Sequence, residues 1–344
     1  MSRLNLLSSS FKKIFSPLKL NSMKAICINS SGELEPCDRP VPVPGAGEVL
    51  IKVAASGMNR ADLLQVKGLH PPPPGASDLP GLEVSGMIHA VGPDIAQAMI
   101  GERVCALLNG GGYAEYAIAN LDLCLPVPDD MDLIACAGLP EAIFTVTKNV
   151  FLMGQLRPDE HLLIHGGASG IGTTAIQMAK SVGARVSVTA GSEEKCQLCR
   201  ELGADRAINY KTEDFVSALA QEPVDVVFDM VGGDYVKRSL GVLQSDGRHI
   251  SIAYMRGKDA EIDLAMIMKK RLTITGSTLR HDSAEDKATY ASMIQDVFWP
   301  DVVAGAIRPH IHATYPLTDA ARAHTDFAAG AHAGKILLIP AVYQ

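Results

Sequence analysis

Residues 162–180 read LLIHGGASGIGTTAIQMAK, in which an apolar run leads through a cluster of small residues into a helical pattern. The run begins one residue earlier as HLLIH (161–165), and Ile171 and Met178 then fall on one face of a helix. A second apolar run, ARVSVTA (184–190), follows. A strand, a glycine-rich turn, a helix and a second strand in this order predict a dinucleotide-binding βαβ unit, whose turn faces a pyrophosphate.

The turn matches the fingerprint G-x-G-x-x-G at Gly167, Ser169 and Gly172. Serine at the middle position is small enough for the backbone to approach a phosphate closely, and its hydroxyl is able to donate to a phosphate oxygen. A tight turn without a ligand is the structural alternative, but the flanking strands favour the nucleotide. The predicted cofactor contacts of the turn are Gly167, Ala168, Ser169, Gly170, Ile171 and Gly172.

The end of the second strand bears on which nucleotide binds. NAD enzymes usually place an acidic residue there, about 20 residues after the fingerprint, to bind the ribose 2′-hydroxyl. Here the strand ends at Gly191 and Ser192, and Lys195 lies one helical turn further on, where its ammonium suits a 2′-phosphate. NADPH is therefore the predicted cofactor. Glu193 and Glu194 would repel that phosphate unless both point outward.

The composition favours a small-molecule ligand. The chain has 344 residues and a formal net charge of −7, so it lacks the basic field with which proteins bind nucleic acids or anionic membranes. No apolar segment reaches the roughly 20 residues needed to span a bilayer, and we expect a soluble, cytoplasmic protein. Seven cysteines, an odd number without a pairing pattern, indicate a reducing compartment and thiols that serve in packing.

The first 22 residues, MSRLNLLSSSFKKIFSPLKLNS, are basic, rich in serine and free of acids, as in a mitochondrial transit peptide. Their single arginine and Pro17, which would interrupt a helix, oppose that interpretation. An upstream start codon or a non-functional tail is the alternative. We exclude residues 1–22 from the fold in either case.

The remaining chain changes character near residue 145. Residues 23–145 carry short alternating runs such as EVLIKV (48–53) and the proline loop HPPPPGAS (70–77), which predict an irregular, mostly β domain. Residues 146–295 alternate apolar runs with helical stretches, which predicts an α/β domain with a doubly wound parallel sheet. The tail, residues 296–344, returns to short strands and is expected to complete the first domain.

Several motifs together match a known family. They are GEVLIKVAASGMNRADL, LPGLEVSG, LPEAIFTVT, HGGASGIG, AGSEEK, INYKTEDF, FDMVGG and AGKILLIP. In their order and spacing the chain resembles, over residues 23–344, the zinc-free quinone oxidoreductase (zeta-crystallin-like) branch of the medium-chain dehydrogenases/reductases. The resemblance implies a GroES-like substrate domain, a Rossmann domain for NADPH, and a cleft between them in which the cofactor meets an oxidised substrate.

Zinc-dependent relatives bind a catalytic metal through a Cys and a His at the positions of Asn59 and Leu82. Neither residue is a useful zinc ligand, and the four-cysteine structural lobe of those relatives is missing. The resemblance therefore implies a zinc-independent enzyme. Hydride transfer without a Lewis acid suits acceptors that are already electrophilic, such as quinones and α,β-unsaturated carbonyls.

By resemblance, Asn59 and Thr145 contact the nicotinamide side of the cofactor, and they are the predicted catalytic residues together with His70. His70 stands where close relatives often have a tyrosine, so we expect it to alter stacking or to donate a proton near neutral pH; a solvated loop histidine is the alternative. For the other two, the alternatives are a helix cap and a hydroxyl bonded within its own helix. The further contacts that the resemblance implies are Ser192, Lys195 and Tyr210 around the 2′-phosphate, and Thr278 and Leu279 beside the nicotinamide.

Two paired motifs are assigned structural roles. Cys196-x-x-Cys199 has no second cysteine pair nearby, and His310-x-His312 has no third ligand in view, so we expect neither pair to bind a metal.

The leading hypothesis is an NADPH-dependent quinone reductase. An NADPH-dependent enone or alkenal reductase on the same scaffold is the nearest alternative. An NADPH-binding sensor or RNA-binding protein with little turnover is an alternative of another class, and the acidic balance argues against RNA. The resemblance also favours a homodimer formed through the Rossmann domain, so the expected partners are a quinone or enone substrate and a second copy of the chain.

Overall fold

The computed structural model describes residues 22–343, so the N-terminal extension, except for Ser22, lies outside the described residues. Within that range the chain forms a seven-stranded sheet, a six-stranded sheet and a separate hairpin. No helix in the described range has the length and apolar character needed to cross a membrane.

The N-terminal part is mostly β structure, as its alternating apolar runs predict. Its strands are β1 (Met23–Ile28), β2 (Leu34–Arg39), β3 (Glu48–Gly57), β4 (Glu83–Val91), β5 (Arg103–Leu107), β6 (Tyr116–Asn120) and β7 (Cys124–Pro126). β1 and β2 form the antiparallel hairpin, and the other five join an antiparallel sheet in which β3 pairs with both β4 and β6. The proline stretch from residue 71 to residue 74 is a loop, because proline supplies no amide donor to a strand or helix.

Three helices precede the second sheet. They are α1 (Arg60–Val66), α2 (Leu133–Cys136) and α3 (Pro140–Val146), and α3 continues into a π-helical stretch, Thr147–Met153. Phe144 and Val146 of α3 belong to the same apolar cluster as the second sheet's strands, so this helix packs against the α/β unit.

The six-stranded sheet is parallel throughout, with helices between its strands. Its strands are β8 (His161–His165), β9 (Arg185–Ala190), β10 (Arg206–Asn209), β11 (Val224–Asp229), β12 (Leu243–Ser251) and β13 (Thr273–Gly276). The spatial order β10-β9-β8-β11-β12-β13 reverses between β8 and β11. This is the 3-2-1-4-5-6 order of a Rossmann fold, and it confirms the predicted α/β class with a doubly wound parallel sheet.

The helices of this unit and of the tail follow in chain order. They are α4 (Gly170–Ser181), α5 (Glu193–Glu201), α6 (Phe215–Ala218), α7 (Asp234–Val242), α8 (Leu264–Lys270), α9 (Ala284–Met293), α10 (Trp299–Val303) and α11 (Ala320–Ala329). The motif helix α4 buries Ala175, Met178 and Ala179 against the sheet, as its apolar face predicts.

The tail of the chain returns to the first sheet. Strand β14 (Ile311–Pro316) pairs with β15 (Lys335–Ile339), and β15 pairs with β3 through Leu337 and Gly57. The sheet of the N-terminal part is therefore extended by strands from the C-terminal tail. The predicted domain limits near residues 145 and 296 stay predictions.

The cysteines differ in part from the prediction. Five of the seven are free and buried, as expected for packing thiols, and Cys196 and Cys199 lie on the buried face of α5. Cys27 and Cys37, in contrast, form a disulfide across the β1–β2 hairpin. The expectation of free thiols throughout was wrong at this pair. The antiparallel pairing of β1 with β2 brings the two cysteine side chains together.

Candidate active site

The turn after β8 is built for close approach of backbone to backbone. A side chain at Gly167 would meet Val188 of β9, and one at Gly172 would strike the carbonyl oxygens of Gly166 and Gly167. Ser169 is the N-cap of α4, and its Oγ accepts from the Gly172 amide at 3.0 Å and donates to Met230 Sδ at 3.4 Å. The serine at the middle position thus serves as a helix cap.

The first amides of α4 are available to a ligand. Those of Gly170 and Ile171 have no protein acceptor among residues 22–343, and both residues are only half-buried. Unpaired amides at the N-terminus of a twelve-residue helix form a cradle for an anion. The turn residues present therefore fit the pyrophosphate of a dinucleotide.

The C-terminal tail crosses directly over this turn. The Gly334 amide donates to the Ala168 carbonyl at 2.8 Å, and the next residue, Lys335, runs its aliphatic stem against Gly170. A side chain at Gly170 would occupy the position of that stem. The dinucleotide turn is thereby joined to the tail strand β15.

Lys335 carries this connection to Asn59. Its Nζ donates to Asn59 Oδ1 at 2.7 Å and forms an ion pair with Glu83, while Asn59 Nδ2 donates to Glu83 Oε1 at 2.9 Å. All three side chains are buried. Because the lysine is held by β15, the glutamate by β4 and the asparagine by the start of α1, the triad locks three separate elements together.

A second buried carboxyl supports the same corner. Asp62 accepts from the amides of Asn59 and Gly81 at 2.8 and 3.1 Å and from the Tyr113 hydroxyl at 3.2 Å, and that hydroxyl also contacts His324. Complete burial raises the pKa of Asp62 to about 6, and its hydrogen bonds offset only part of this effect. The network fixes the backbone of Asn59.

Helix α3 provides one wall of the site. Glu141 and Thr145 are four residues apart and therefore face the same side of the helix. The Glu141 amide donates to Glu83 Oε2 at 2.8 Å, which ties the start of α3 to the triad. The Thr145 hydroxyl has no partner among the described residues, so the expected alternative of a hydroxyl bonded within its own helix does not apply.

The segment after β13 lies directly beside the continuation of α3. Ser277 Oγ donates to Asn149 Oδ1 at 2.8 Å, and Lys148 Nζ donates to the Thr278 carbonyl at 3.2 Å. Leu279 is buried in the core cluster next to these contacts. The structure thus brings the predicted nicotinamide contacts Thr278 and Leu279 to the same helix that carries Thr145.

His70 lies beside this segment. Its carbonyl accepts from Arg280 Nη1 at 2.9 Å, and its ring meets the ring of His281 edge-on at 5.4 Å between centroids. Partial burial and the neighbouring Arg280 lower the pKa of His70, so its neutral form dominates at pH 7. It is packed against the site rather than freely solvated.

The residues predicted around a 2′-phosphate also cluster. Tyr210 Oη lies where a side chain at Gly191 would be, and Ser192 caps α5 by accepting from the Lys195 amide. The Lys195 ammonium donates to the Gly330 carbonyl at 2.8 Å. Desolvation and the nearby Lys211 lower the pKa of Lys195. Lys211 is therefore a second cation beside the predicted phosphate position.

The two glutamates at this helix point in different directions. Glu193 pairs with Arg200 further along the exposed face of α5, whereas Glu194 turns back to Ser192 and the helix N-terminus, which lowers the pKa of its carboxyl. Only Glu193 therefore points away from the predicted phosphate position.

The His310-x-His312 motif lies close to a third histidine, His332. His312 lies on β14, and its ring is 6.2 Å from that of His332, which packs on Phe327. In residues 22–343 no group of three His, Cys, Asp or Glu side chains is placed to hold a metal ion.

Four residues of the site were missed by the sequence interpretation: Glu83, Glu141, Lys211 and Lys335. Glu83, Glu141 and Lys335 stand inside the quoted motifs LPGLEVSG, LPEAIFTVT and AGKILLIP. A charged residue within an otherwise apolar motif was the available signal, since burial of a charge requires a partner.

Comparison with known proteins agrees with this architecture. Two family profiles match the chain, "Alcohol dehydrogenase GroES-like domain" over residues 45–129 and "Zinc-binding dehydrogenase" over residues 170–297. The chain is 32% identical to the quinone oxidoreductase of Mus musculus over 310 residues, which are 88% of this chain and 92% of the mouse protein.

Solved structures agree as well. Escherichia coli quinone oxidoreductase complexed with NADPH superimposes with a TM-score of 0.78 at 28% identity, covering 93% of this chain and 99% of that one. CurK enoyl reductase gives 0.81 at 26% identity, covering 92% and 99%. With its GroES-like and Rossmann units and this degree of identity, the chain belongs to the quinone oxidoreductase branch of the medium-chain dehydrogenase/reductase family.

Proposed function

We propose that this protein is an NADPH-dependent, zinc-independent quinone reductase. The observation that carries the proposal is Lys335, which contacts the dinucleotide turn through its stem and Asn59 through its ammonium. The Lys335 side chain therefore connects Asn59 to the N-terminus of α4, where a pyrophosphate would bind. Thr145 lies on α3, which packs against α4.

Bound NADPH supplies the hydride. The chain's own residues hold it: the free amides of Gly170 and Ile171 take the pyrophosphate, and Lys195 and Lys211 take the 2′-phosphate. Asn59 and Thr145 orient the nicotinamide end in a cleft whose walls are α3 and the segment 277–281.

The donor set at Asn59 argues for chemistry without zinc. The Lys335 ammonium sits between Asn59 Oδ1 and Glu83 Oε1, the two oxygens that a cation would otherwise approach. Leu82, which adjoins Glu83, is buried and offers no ligand atom. A second positive charge at this point would be repelled by the lysine.

A double-bond reductase is the second candidate. The 26% identity to CurK enoyl reductase, a protein of the same fold, supports it. Both acceptors are conjugated and electrophilic, so the same cleft suits either one. The products distinguish them, since a quinone gives a hydroquinone and an enone gives a saturated carbonyl compound.

The proposal is tested by oxidation of NADPH and NADH with ortho-quinones, para-quinones and enones, each with and without a chelator. We expect quinone-dependent, chelator-insensitive turnover that prefers NADPH. Turnover with enones alone would establish the second candidate, and tight NADPH binding without turnover of any acceptor would indicate a sensor.

We further propose that two copies pair through β13. This strand ends the parallel sheet, so one of its edges has no strand partner within residues 22–343. Ile274 on this strand is an exposed apolar side chain, and the preceding helix α8 also exposes Leu264 and Met268. An apolar sheet edge of this kind favours pairing with a second sheet.

A further inference from the structure

Four carboxyl groups stand around the cleft, and three of them are fully engaged. Asp62 and Glu83 accept from amides and side chains as described above, and Asp282 accepts from Lys148 and Tyr290. The carboxyl of Glu141 has no hydrogen bond or ion pair among the described residues, although the residue is half-buried. A structural carboxylate in such a position would be expected to have a donor.

The position of Glu141 is fixed by its backbone. Its amide is held by Glu83, and its side chain projects from the first turn of α3, on the face that carries Thr145 one turn later and Lys148 two turns later. Lys148 in turn contacts the Thr278 carbonyl. The free carboxyl thus belongs to the face of α3 that borders the proposed nicotinamide position.

We propose that Glu141 is the general acid that completes the reduction, by giving its carboxyl proton to the substrate oxygen on which negative charge develops. This assignment rests on the proposed function. The hydride brings two electrons to the quinone, an O–H bond forms on the substrate oxygen as the Glu141 O–H bond breaks, and the resulting carboxylate regains a proton from water. The sum is quinone, NADPH and one proton giving hydroquinone and NADP⁺.

The charges around Glu141 suit this role. Burial and the neighbouring Glu83 raise its pKa to about 8, so the carboxyl carries a proton at pH 7. Cations on other elements stabilise the carboxylate left after transfer. The charged groups that face Glu141 are Glu83, Asp62, Lys335, Lys287 and Arg280.

His70 is also a titratable group at the cleft, and it is less suited to the step. Its lowered pKa leaves it without the imidazolium proton at neutral pH. Lys335, Lys148 and Lys287 are engaged with protein acceptors. Glu141 is therefore the acid that this site presents to a substrate.

The kinetic test compares Glu141→Gln with the wild type. We expect the substitution to lower kcat for a quinone by about 100-fold at pH 7 while the Kd of NADPH stays within about threefold. In the wild type, kcat should fall as pH rises through about 8, and in the variant this fall should disappear. Glu102→Gln is the control, since Glu102 is an exposed carboxyl with no side-chain partner among the described residues, and it should change neither quantity.

A second measurement needs no turnover. In protein labelled with ¹³C at the glutamate side-chain carboxyl, one resonance should titrate near pH 8, vanish in Glu141→Gln and persist in Glu102→Gln. Wild-type kcat that is retained in Glu141→Gln, or glutamate resonances that all titrate below pH 6, would overturn the assignment and leave the proposed function intact. A wild type that turns over no quinone or enone would instead refute the proposed function, and the acid step with it.

Discussion

Replacement of Lys335 by methionine should destabilise the folded protein by about 3–4 kcal/mol at pH 7. The lysine is 3% exposed and its partner Glu83 is 0% exposed, so the variant leaves a buried carboxylate with only two neutral donors, Asn59 Nδ2 and the Glu141 amide. Breaking a buried pair by removing one partner costs roughly 3–5 kcal/mol. Protonation limits the loss, because an ordinary glutamate takes up a proton at pH 7 for about 3.7 kcal/mol.

The loss of stability in Lys335→Met should depend on pH. Each unit of lower pH reduces the cost of protonation by about 1.4 kcal/mol, so the deficit of Lys335→Met should shrink to about 1 kcal/mol at pH 5. The double variant Lys335→Met/Glu83→Gln should recover at least half of the pH 7 loss, because it removes the uncompensated charge.

Urea denaturation followed by fluorescence provides the measurement. Trp299 is the chain's single tryptophan; it is buried, and its Nε1 donates to the Pro126 carbonyl at 2.9 Å. The control is Lys24→Met, since Lys24 and Asp38 form an ion pair whose side chains are 68% and 64% exposed, so water screens the pair and its loss should leave the free energy of unfolding nearly unchanged. A loss below about 1 kcal/mol for Lys335→Met at pH 7, or a loss that is the same at pH 5, would refute this account of the triad.

Four further variants and one pH effect can be tested alongside. Lys195→Ala should weaken NADPH binding about 10-fold or more while NADH binding changes little; calorimetry showing equal losses would contradict the phosphate assignment. Gly172→Ala should destabilise the protein by about 1–3 kcal/mol and abolish dinucleotide binding, because the added carbon meets two turn carbonyls. Asp62 holds its proton more tightly when folded, with a pKa of about 6 against 3.8, so the free energy of unfolding should fall by about 3 kcal/mol as pH rises from about 4 to about 6. Because the pKa of Glu141 is about 8 in the folded protein, the free energy of unfolding should fall further up to about pH 8, and Glu141→Gln should remove this further fall. Ile274→Lys should shift a dimer to monomer in light scattering, and a wild-type monomer would refute the proposed pairing.

Much of the fold could be predicted because it depends on local patterns. The strand HLLIH (161–165) and the helix after it follow from apolar periodicity, and the parallel, doubly wound sheet follows from alternating strands and helices. The role of Ser169 was harder to predict, since a hydroxyl in this turn suits a phosphate or a helix cap equally well. The structure shows the cap.

The candidate site likewise contains residues that could be predicted from motifs and residues that only the structure brings together. Asn59 and Thr145 stand out because they occupy motif positions, whereas Glu83, Glu141 and Lys335 are separated along the chain by up to about 250 residues and give no periodic signal. Their relation exists only once β15 pairs with β3 and the tail crosses the dinucleotide turn. The Cys27–Cys37 disulfide likewise depends on strand register.

The sequence alone determined the dinucleotide turn, the doubly wound sheet and the family, because these depend on the size, polarity and order of neighbouring residues. Only the tertiary structure decided which charges are buried together and which carboxyl is left without a donor. Pairing and pKa depend on distances between atoms of different elements, and the linear spacing of residues does not contain those distances.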